Sequence, residues 1–360
     1  MSYLVLSNIY AAAFSGEPWN DPWKPEDAII NRGYSYFHGG GMRIINLIEN
    51  TKGHEGCAYA HGLSFYVETS KHKLLLDLGP SEETLHNAEK LGIDLSGIDT
   101  VILSHGHYDH SGGIMPFVKL YPNAVIYMQE TAAADYYADD GEKAEGERYR
   151  YIGIDKGISE LPQVVKLQGD YRIDDELELF TIKKRTHALP FTNKRLLVKE
   201  NDEFVRDAFI HEQYLVISGG GRRILLSGCA HNGMLSILDA FRDKYGTAPD
   251  VVISGFHLMK KTKYSDEELR EIIDFGKELK KYPTKFFTCH CTGEPAYKII
   301  KLSMGEQIQY VHSGEEVDLN SVVSKNTKKE RHSFMKWHKF FAWATVFCFV
   351  MTMVTGYKRK

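Results

Sequence analysis

The chain has 360 residues, enough for one large domain or two ordinary ones. It is 43% hydrophobic and 26% charged with a formal net charge of −4, a globular composition with no basic excess to draw it to nucleic acid. Its five cysteines, an odd number, do not read as a disulfide framework and point to a reducing compartment.

Residues 1–41 hold aromatics and prolines and close on Gly39-Gly40-Gly41, so they read as an N-terminal extension with a flexible joint before a domain that begins at Met42. The mildly apolar stretch 3–15 has no positive charge before it, and a cleaved signal peptide is not expected. Strands are expected over 43–48, 63–68 and 73–77, the last two joined by a short polar turn. A helix over 82–91 would put Leu85, Ala88 and Leu91 on one face. Thr100-Val101-Ile102-Leu103 is the next strand, followed by a helix over 113–121 and a strand over 125–128. This alternation fits layered α/β packing.

Residues 131–165 break that rhythm with polar, aromatic and charged residues, read either as an insertion at the mouth of a site or as a solvated excursion. A strand returns at 177–180, and 213–218 pairs with 223–227 as a hairpin across Gly219-Gly220-Gly221. A buried strand over 251–254 follows. Ser265-Asp266-Glu267-Glu268 is a capping box opening a helix to about residue 282, with Leu269, Ile272, Phe275 and Leu279 toward the core. The last strand is 286–288.

Beyond residue 322 the character changes. A basic linker, 323–339, precedes residues 340–357, 18 residues without a charge. At about 1.5 Å per residue these reach roughly 27 Å, the least a membrane-spanning helix needs. Trp337, Trp343 and Tyr357 sit where interface anchors would, and the flanking basic residues favour a cytoplasmic domain on a membrane tether. An apolar helix docked on the domain is the alternative.

The chemistry concentrates in Ser104-His105-Gly106-His107-Tyr108-Asp109-His110-Ser111-Gly112-Gly113, directly after an apolar strand. Imidazole and carboxylate bind borderline divalent metals such as zinc. His105 and His107 alternate and can share one metal at a strand exit. Asp109 and His110 lie where the chain turns and can reach a second metal close by, an arrangement suited to hydrolysis. Cys229, Cys289 and Cys291 each lie within two residues of a histidine and read as metal-proximal thiols, although Cys229 also fits a small buried apolar residue.

His-x-His-x-Asp-His after a strand resembles the signature of the metallo-β-lactamase superfamily. Lys73-Leu74-Leu75-Leu76-Asp77-Leu78-Gly79 resembles its first motif, in which the carboxylate, here Asp77, orients a ligand. The segments 46–50, 60–64, 227–233, 254–258 and 289–294 resemble, in this order, the dihydropterin-ribofuranosylaminobenzene phosphate synthase-like branch, over about residues 42–314. The resemblance implies an αββα four-layer sandwich for the domain 42–322 and one or two zinc ions, with manganese or iron(II) as alternatives. It implies His105, His107, Asp109, His110, His231 and His290 as ligands. Where the family usually has a bridging aspartate this chain has Gly228-Cys229, so either Cys229 binds or His231 takes over. Asp109 and His257 are the expected catalytic residues, His257 as a substrate-facing acid or anion contact. Asp77, His61, Glu49 and Cys291 are expected around the ligands or the substrate, with His187 and His211 as weaker candidates. The implied activity is that of a metal-dependent hydrolase or transferase on a small anionic, phosphorylated or pterin-like substrate. A membrane-tethered metal-binding or sensor protein without catalysis is the competing expectation.

Overall fold

Runs of Val, Ile, Leu and Phe that can bury both faces form strands here, and amphipathic stretches between them form helices. A computed structural model describes residues 42–142 and 147–321. In chain order the strands are β1 (Arg43–Ile48), β2 (Ser64–Glu68), β3 (Lys73–Leu76), β4 (Thr100–Ile102), β5 (Val125–Gln129), β6 (Tyr136–Asp139), β7 (Tyr149–Tyr151), β8 (Val164–Leu167) and β9 (Tyr171–Arg172). They continue with β10 (Leu177–Phe180), β11 (Leu196–Glu200), β12 (Glu203–Arg206), β13 (Tyr214–Gly219), β14 (Arg222–Leu226), β15 (Val251–Ser254), β16 (Lys285–Thr288) and β17 (Ile308–Tyr310). The helices are α1 (Glu83–Lys90), α2 (Tyr108–Ser111), α3 (Ile114–Leu120), α4 (Met234–Tyr245), α5 (Asp266–Leu279) and α6 (Glu294–Met304).

One sheet has the order β1-β2-β3-β4-β5-β8 and a second β17-β16-β15-β14-β13-β10-β9. Successive residues on the central strands are buried on opposite faces. Val252 and Phe286 pack with Ile237, Leu238, Leu269 and Ile299 of α4, α5 and α6, while Val251, Ile253 and Phe287 are buried on the other side. Leu75, Val101 and Ile126 likewise pack with Ala88, Ile114 and Phe117 of α1 and α3, and Leu74, Leu76 and Ile102 are buried opposite them. Helices therefore cover the outer face of each sheet and the inner faces form the middle of the core, the layering expected of an αββα sandwich. Gln213 ties the sheets together: its backbone N–H donates to Ser104 O at 2.8 Å and its amide to Leu103 O at 2.8 Å.

The β13–β14 turn is tighter than expected. Gly219 belongs to the strand, and Gly220 and Gly221 alone turn the chain, both at positive φ (58° and 73°), which favours glycine at each position. The Ser265 capping box forms in full, and α5 ends at Leu279, three residues before the expected end. Residues 131–165 do not form a structureless excursion. β6 and β7 join β11 and β12 in a third sheet, order β12-β11-β6-β7, and β8 extends the first sheet.

Among the described residues no helix is long and apolar enough to cross a membrane. The expected span 340–357, the basic linker 323–339 and the extension 1–41 lie outside the described residues. The compact unit that carries all three sheets ends at Val317.

His72 offers a test of how the two large sheets are pinned. From the β2–β3 turn, its Nδ1 reaches Asp99 at 3.1 Å and its Nε2 reaches Asp174, before β10, at 2.9 Å. Burial pushes His72 down, but the hydrogen bonds to Asp174 and Asp99 outweigh it and the group is raised. A folded value above the unfolded one, about 6.5, stabilises fully below pH 6.5 and is lost as pH rises through the folded value. The melting gap between wild type and His72→Gln should therefore be widest near pH 6, about 1 kcal/mol or less for a pair open to solvent, and close toward pH 9. A gap that stays constant across that range would show that His72 acts by packing alone.

Candidate metal centre

Every candidate ligand follows a strand. β4 hands the chain to His105-Gly106-His107, and α2 then presents Asp109 and His110. Gly106 is required there, because a Cβ would fall 2.3 Å from Ala132 O. β14, β15 and β16 run parallel, so their exits share one rim. That rim carries Cys229 and His231, then His257, then His290 and Cys291. Asp77, Ala230, His257 and His290 all sit at φ between 47° and 61°, a left-handed conformation that ordinary residues adopt only where neighbours enforce it.

The outer hydrogen bonds assign each ring its tautomer. Asp77 Oδ2 accepts from His110 Nδ1 at 2.6 Å and from Ser104 Oγ at 2.7 Å. With the Ser104 hydroxyl proton committed to Asp77, His105 Nδ1 must donate to Ser104 Oγ, 2.8 Å away. Asn193 receives His231 Nδ1 on Oδ1 at 3.1 Å and returns its amide to His231 O at 2.7 Å. Asn50 receives His290 Nδ1 at 2.8 Å in the same way. All four histidines are thus protonated on Nδ1 and offer a bare Nε2 lone pair, the state that outer partners impose on metal-ligating histidines.

Those lone pairs converge. His105 Nε2 and His231 Nε2 lie 3.3 Å apart with no proton between them in the neutral form, and the buried Nε2 atoms of His107 and His290 have no hydrogen-bond partner. A buried polar atom without a partner is costly, and a shared cation would remove that cost. The donor atoms overlap in triads: His105–His107–His231, His105–His110–Cys229, Cys229–His290–Cys291, His61–Asp109–His290 and His107–Asp207–His211, each within 4.8 Å. His105, His107, Cys229 and His290 each belong to two, so the donors form a continuous run. Donors that are mostly nitrogen and sulfur suit zinc better than magnesium or calcium.

Electrostatics agree with that run. Burial, reinforced by neighbouring imidazoles, holds His105 and His231 well below the usual histidine range and brings His107 to about 3. Burial opposes charge on Asp109, yet His110, His290 and His61 hold it well below the carboxylate range. Burial also opposes charge on His110, but Asp77 and Asp109 outweigh it and the group is raised. Burial pushes the Cys229 thiol well up, while its Sγ lies 3.3 Å from His110 Nε2.

The remaining expected residues fall into place differently. Asp77 is buried beneath His110 and Ser104, and a Cβ at Gly228 would strike Ser104 Oγ at 2.2 Å. Glu49 lies behind His290, as a residue expected around the ligands can. It is buried and accepts from His290 N at 2.8 Å and Tyr310 Oη at 3.0 Å, so it anchors the His290 turn. His61 is half-exposed at the rim, 3.4 Å from Asp109 and stacked on His290. His257 lies 4.2 Å, ring to ring, from His231. The Thr192 hydroxyl donates to His257 O, so Thr192 Oγ1 accepts from His257 Nδ1 at 2.7 Å and Nε2 is left bare. Burial pushes His257 down to about 3, so its ring is neutral at neutral pH.

His187 pairs with Asp239 away from this cluster. His211 packs beside His107 but has both nitrogens engaged: Nδ1 accepts Gly106 N–H at 3.0 Å and Nε2 donates to Asp207 at 3.0 Å. It positions the metal loop. Asn50, Asn193, Thr192, Asp207 and Glu212 went unnoticed in the sequence. Glu212, a lone charge at the head of the apolar β13 run, was the one visible signal. Arg150 of β7 was missed as well. Its guanidinium interacts with the Tyr108 hydroxyl, and Tyr108 N–H donates to Ile152 O at 2.9 Å, which joins the third sheet to the metal loop.

The comparisons agree with this geometry. A protein of Methanocaldococcus jannaschii, MJ0448, is 28% identical over 276 residues, 76% of this chain and 98% of that protein. The 7,8-dihydropterin-6-methyl-4-(beta-D-ribofuranosyl)-aminobenzene-5'-phosphate synthase of the same organism is 28% identical over 300 residues, 76% of this chain and 95% of its own. The solved structure of Tm1679, described as a metal-dependent hydrolase of the beta-lactamase superfamily, is 28% identical with a TM-score of 0.64 over 78% of this chain and 99% of that one. The sequence profile of the Metallo-beta-lactamase superfamily matches residues 60–255, more than half of the chain, and the chain belongs to that superfamily.

Proposed function

We propose that the chain is a metal-dependent hydrolase or transferase acting on a small anionic substrate, phosphorylated or pterin-like. The observation that carries this reading is the set of inward Nε2 lone pairs on His105, His110, His231 and His290, each fixed by an outer partner. A divalent metal held there, zinc with manganese or iron(II) as alternatives, would polarise a phosphoryl or carbonyl oxygen and acidify a water. His257, with Nδ1 fixed by Thr192, would face the substrate beside His231 as a polar contact. Asp109 and the half-exposed His61 would orient the substrate at the open side. Arg150, held to Asp140 at 3.1 Å and adjoining Tyr108, places a guanidinium where the anionic end of a substrate would enter. The synthase among the relatives, whose name contains a phosphate and a pterin, supports that substrate class.

Metal analysis of the purified protein, with a screen of phosphorylated and pterin substrates, tests the proposal. Cys229→Ser should weaken metal affinity by about 10–100-fold, and Cys229→Asp should restore it with an oxygen donor. Bound metal without turnover on any phosphoester, diphosphate or lactone would return the reading of a metal-binding or sensor protein. We also propose, on length and flanking charge alone, that residues 340–357 tether the domain to the cytoplasmic face of a membrane. Recovery of the intact chain in the soluble fraction without detergent would overturn the tether.

A further inference from the structure

We propose that Cys291 is itself a metal ligand, so that Cys229, Cys291 and His290 form a two-sulfur seat beside the His105–His107–His231 seat. This rests on reading the cluster as a metal centre and goes further, because it fixes which cation the second seat prefers. The two Sγ atoms and a His290 ring nitrogen lie within 4.8 Å of one another, and the buried His290 Nε2 is otherwise approached only by Asp109 Oδ2 at 3.4 Å, too poorly aligned for a hydrogen bond. Cys229 is shared with the neighbouring donors, its Sγ lying 3.3 Å from His110 Nε2, so the two-sulfur seat adjoins the histidine-rich one, and two sulfurs with an imidazole suit zinc.

The backbone keeps space for the Cys291 sulfur. Gly255 lies against it, and a Cβ at that position would fall 2.3 Å from Cys291 Sγ. The His257 backbone N–H donates to the same sulfur at 3.3 Å, and the neutral thiol donates in turn to Cys229 O at 3.7 Å, a bond that metal binding would release with the proton. An N–H aimed at sulfur stabilises a thiolate, since a charged acceptor strengthens the bond. Cys289 shares none of these features. It caps the His290 turn through its backbone, with its side chain outside the donor triads. Metal binding would release one proton from each of Cys229 and Cys291, so zinc affinity should rise with pH.

A two-sulfur seat should prefer zinc or cadmium and discriminate against manganese and magnesium. That follows from the residue that departs from the usual aspartate. A lone Cys229 would give a mixed site, whereas Cys229 together with Cys291 gives a thiolate site that Asp109 and His61 adjoin from the open side.

Cobalt substitution of the full chain tests this independently of any substrate. Wild type loaded with cobalt(II) should show thiolate-to-metal charge-transfer absorption. Cys291→Ser should lose about half of that intensity, and the double variant Cys229→Ser/Cys291→Ser all of it, while the visible bands from the histidine seat persist. Cys291→Ser should also narrow the zinc-over-manganese preference by at least about tenfold. An unchanged spectrum in Cys291→Ser with reduced absorption in Cys229→Ser would overturn the proposal and leave the metal centre standing. Wild type that takes up no cobalt would overturn the metal centre itself. Should Cys291→Ser fail to fold, zinc X-ray absorption of wild type with both seats filled decides: an average of about one sulfur scatterer per zinc supports the proposal, and about one half or fewer refutes it.

Discussion

His107→Ala is expected to remove at least half of the bound metal and to abolish turnover, while the fold persists. The imidazole is buried, its Nε2 is without a hydrogen-bond partner, and it faces His105 and His231 in the first triad. Losing an outer partner of a ligand costs roughly 10–100-fold in affinity or activity, and losing the ligand itself should cost more. The stability readout separates this from general damage. A metal that binds only the folded chain stabilises it by mass action, so zinc should raise the melting temperature of wild type far more than that of the variant. In chelator the two should lie close together, because the cavity left by the ring is offset by removal of an orphaned polar atom. Full metal content with a wild-type rate in His107→Ala would sink the assignment. An equal loss of stability with and without zinc would mean that His107 serves packing instead.

The parts of this molecule that the sequence disclosed are those whose physics is local. β1 to β5 and β13 to β16 are short apolar runs bounded by turns, and each became a strand within a few residues of its expected position. The loop 104–113 disclosed its ligands because four metal-binding side chains crowd one strand exit. The third sheet was hidden. β6 pairs with β11 some sixty residues later, its strands are three to five residues long, and Tyr149-Arg150-Tyr151 is largely exposed, so no periodic pattern marks it. The outer contacts of the centre were hidden for another reason. Asn50, Asn193 and Thr192 are ordinary residue types, and they matter because the backbone sets each against both a ring Nδ1 and a carbonyl of the histidine it holds. The sequence fragment Phe209-Ile210-His211-Glu212-Gln213 suggested a histidine near the rim, and the structure sets His211 beside His107, where it also accepts from Gly106 N–H and donates to Asp207.

Glu212→Ala is expected to have the largest effect on stability and to disable the first metal seat without touching any ligand. The carboxylate is buried and accepts four hydrogen bonds: His231 N at 2.6 Å, Asn232 N at 2.9 Å, Asn232 Nδ2 at 3.0 Å and Tyr214 Oη at 2.6 Å. It closes the turn that follows β14 onto the start of β13 and so fixes where His231 points. An orphaned buried donor costs about 1–3 kcal/mol. Asn232 Nδ2 keeps Phe209 O at 3.0 Å as a second acceptor, so three donors are left stranded, two of them backbone N–H groups. Water entering the new cavity would recover part of the loss, which leaves about 3–5 kcal/mol, the range seen when a buried charged network loses a member. Glu212→Gln tests geometry against volume. It fills the space but turns an NH2 toward donors, so it should recover only part of the stability. Urea denaturation of the metal-free proteins gives the first number, and zinc titration the second. Zinc affinity should fall in both variants because His231 is no longer held against His105. Wild-type zinc affinity in a folded Glu212→Ala would show that Asn193 alone positions His231, and that Glu212 serves the fold and not the site.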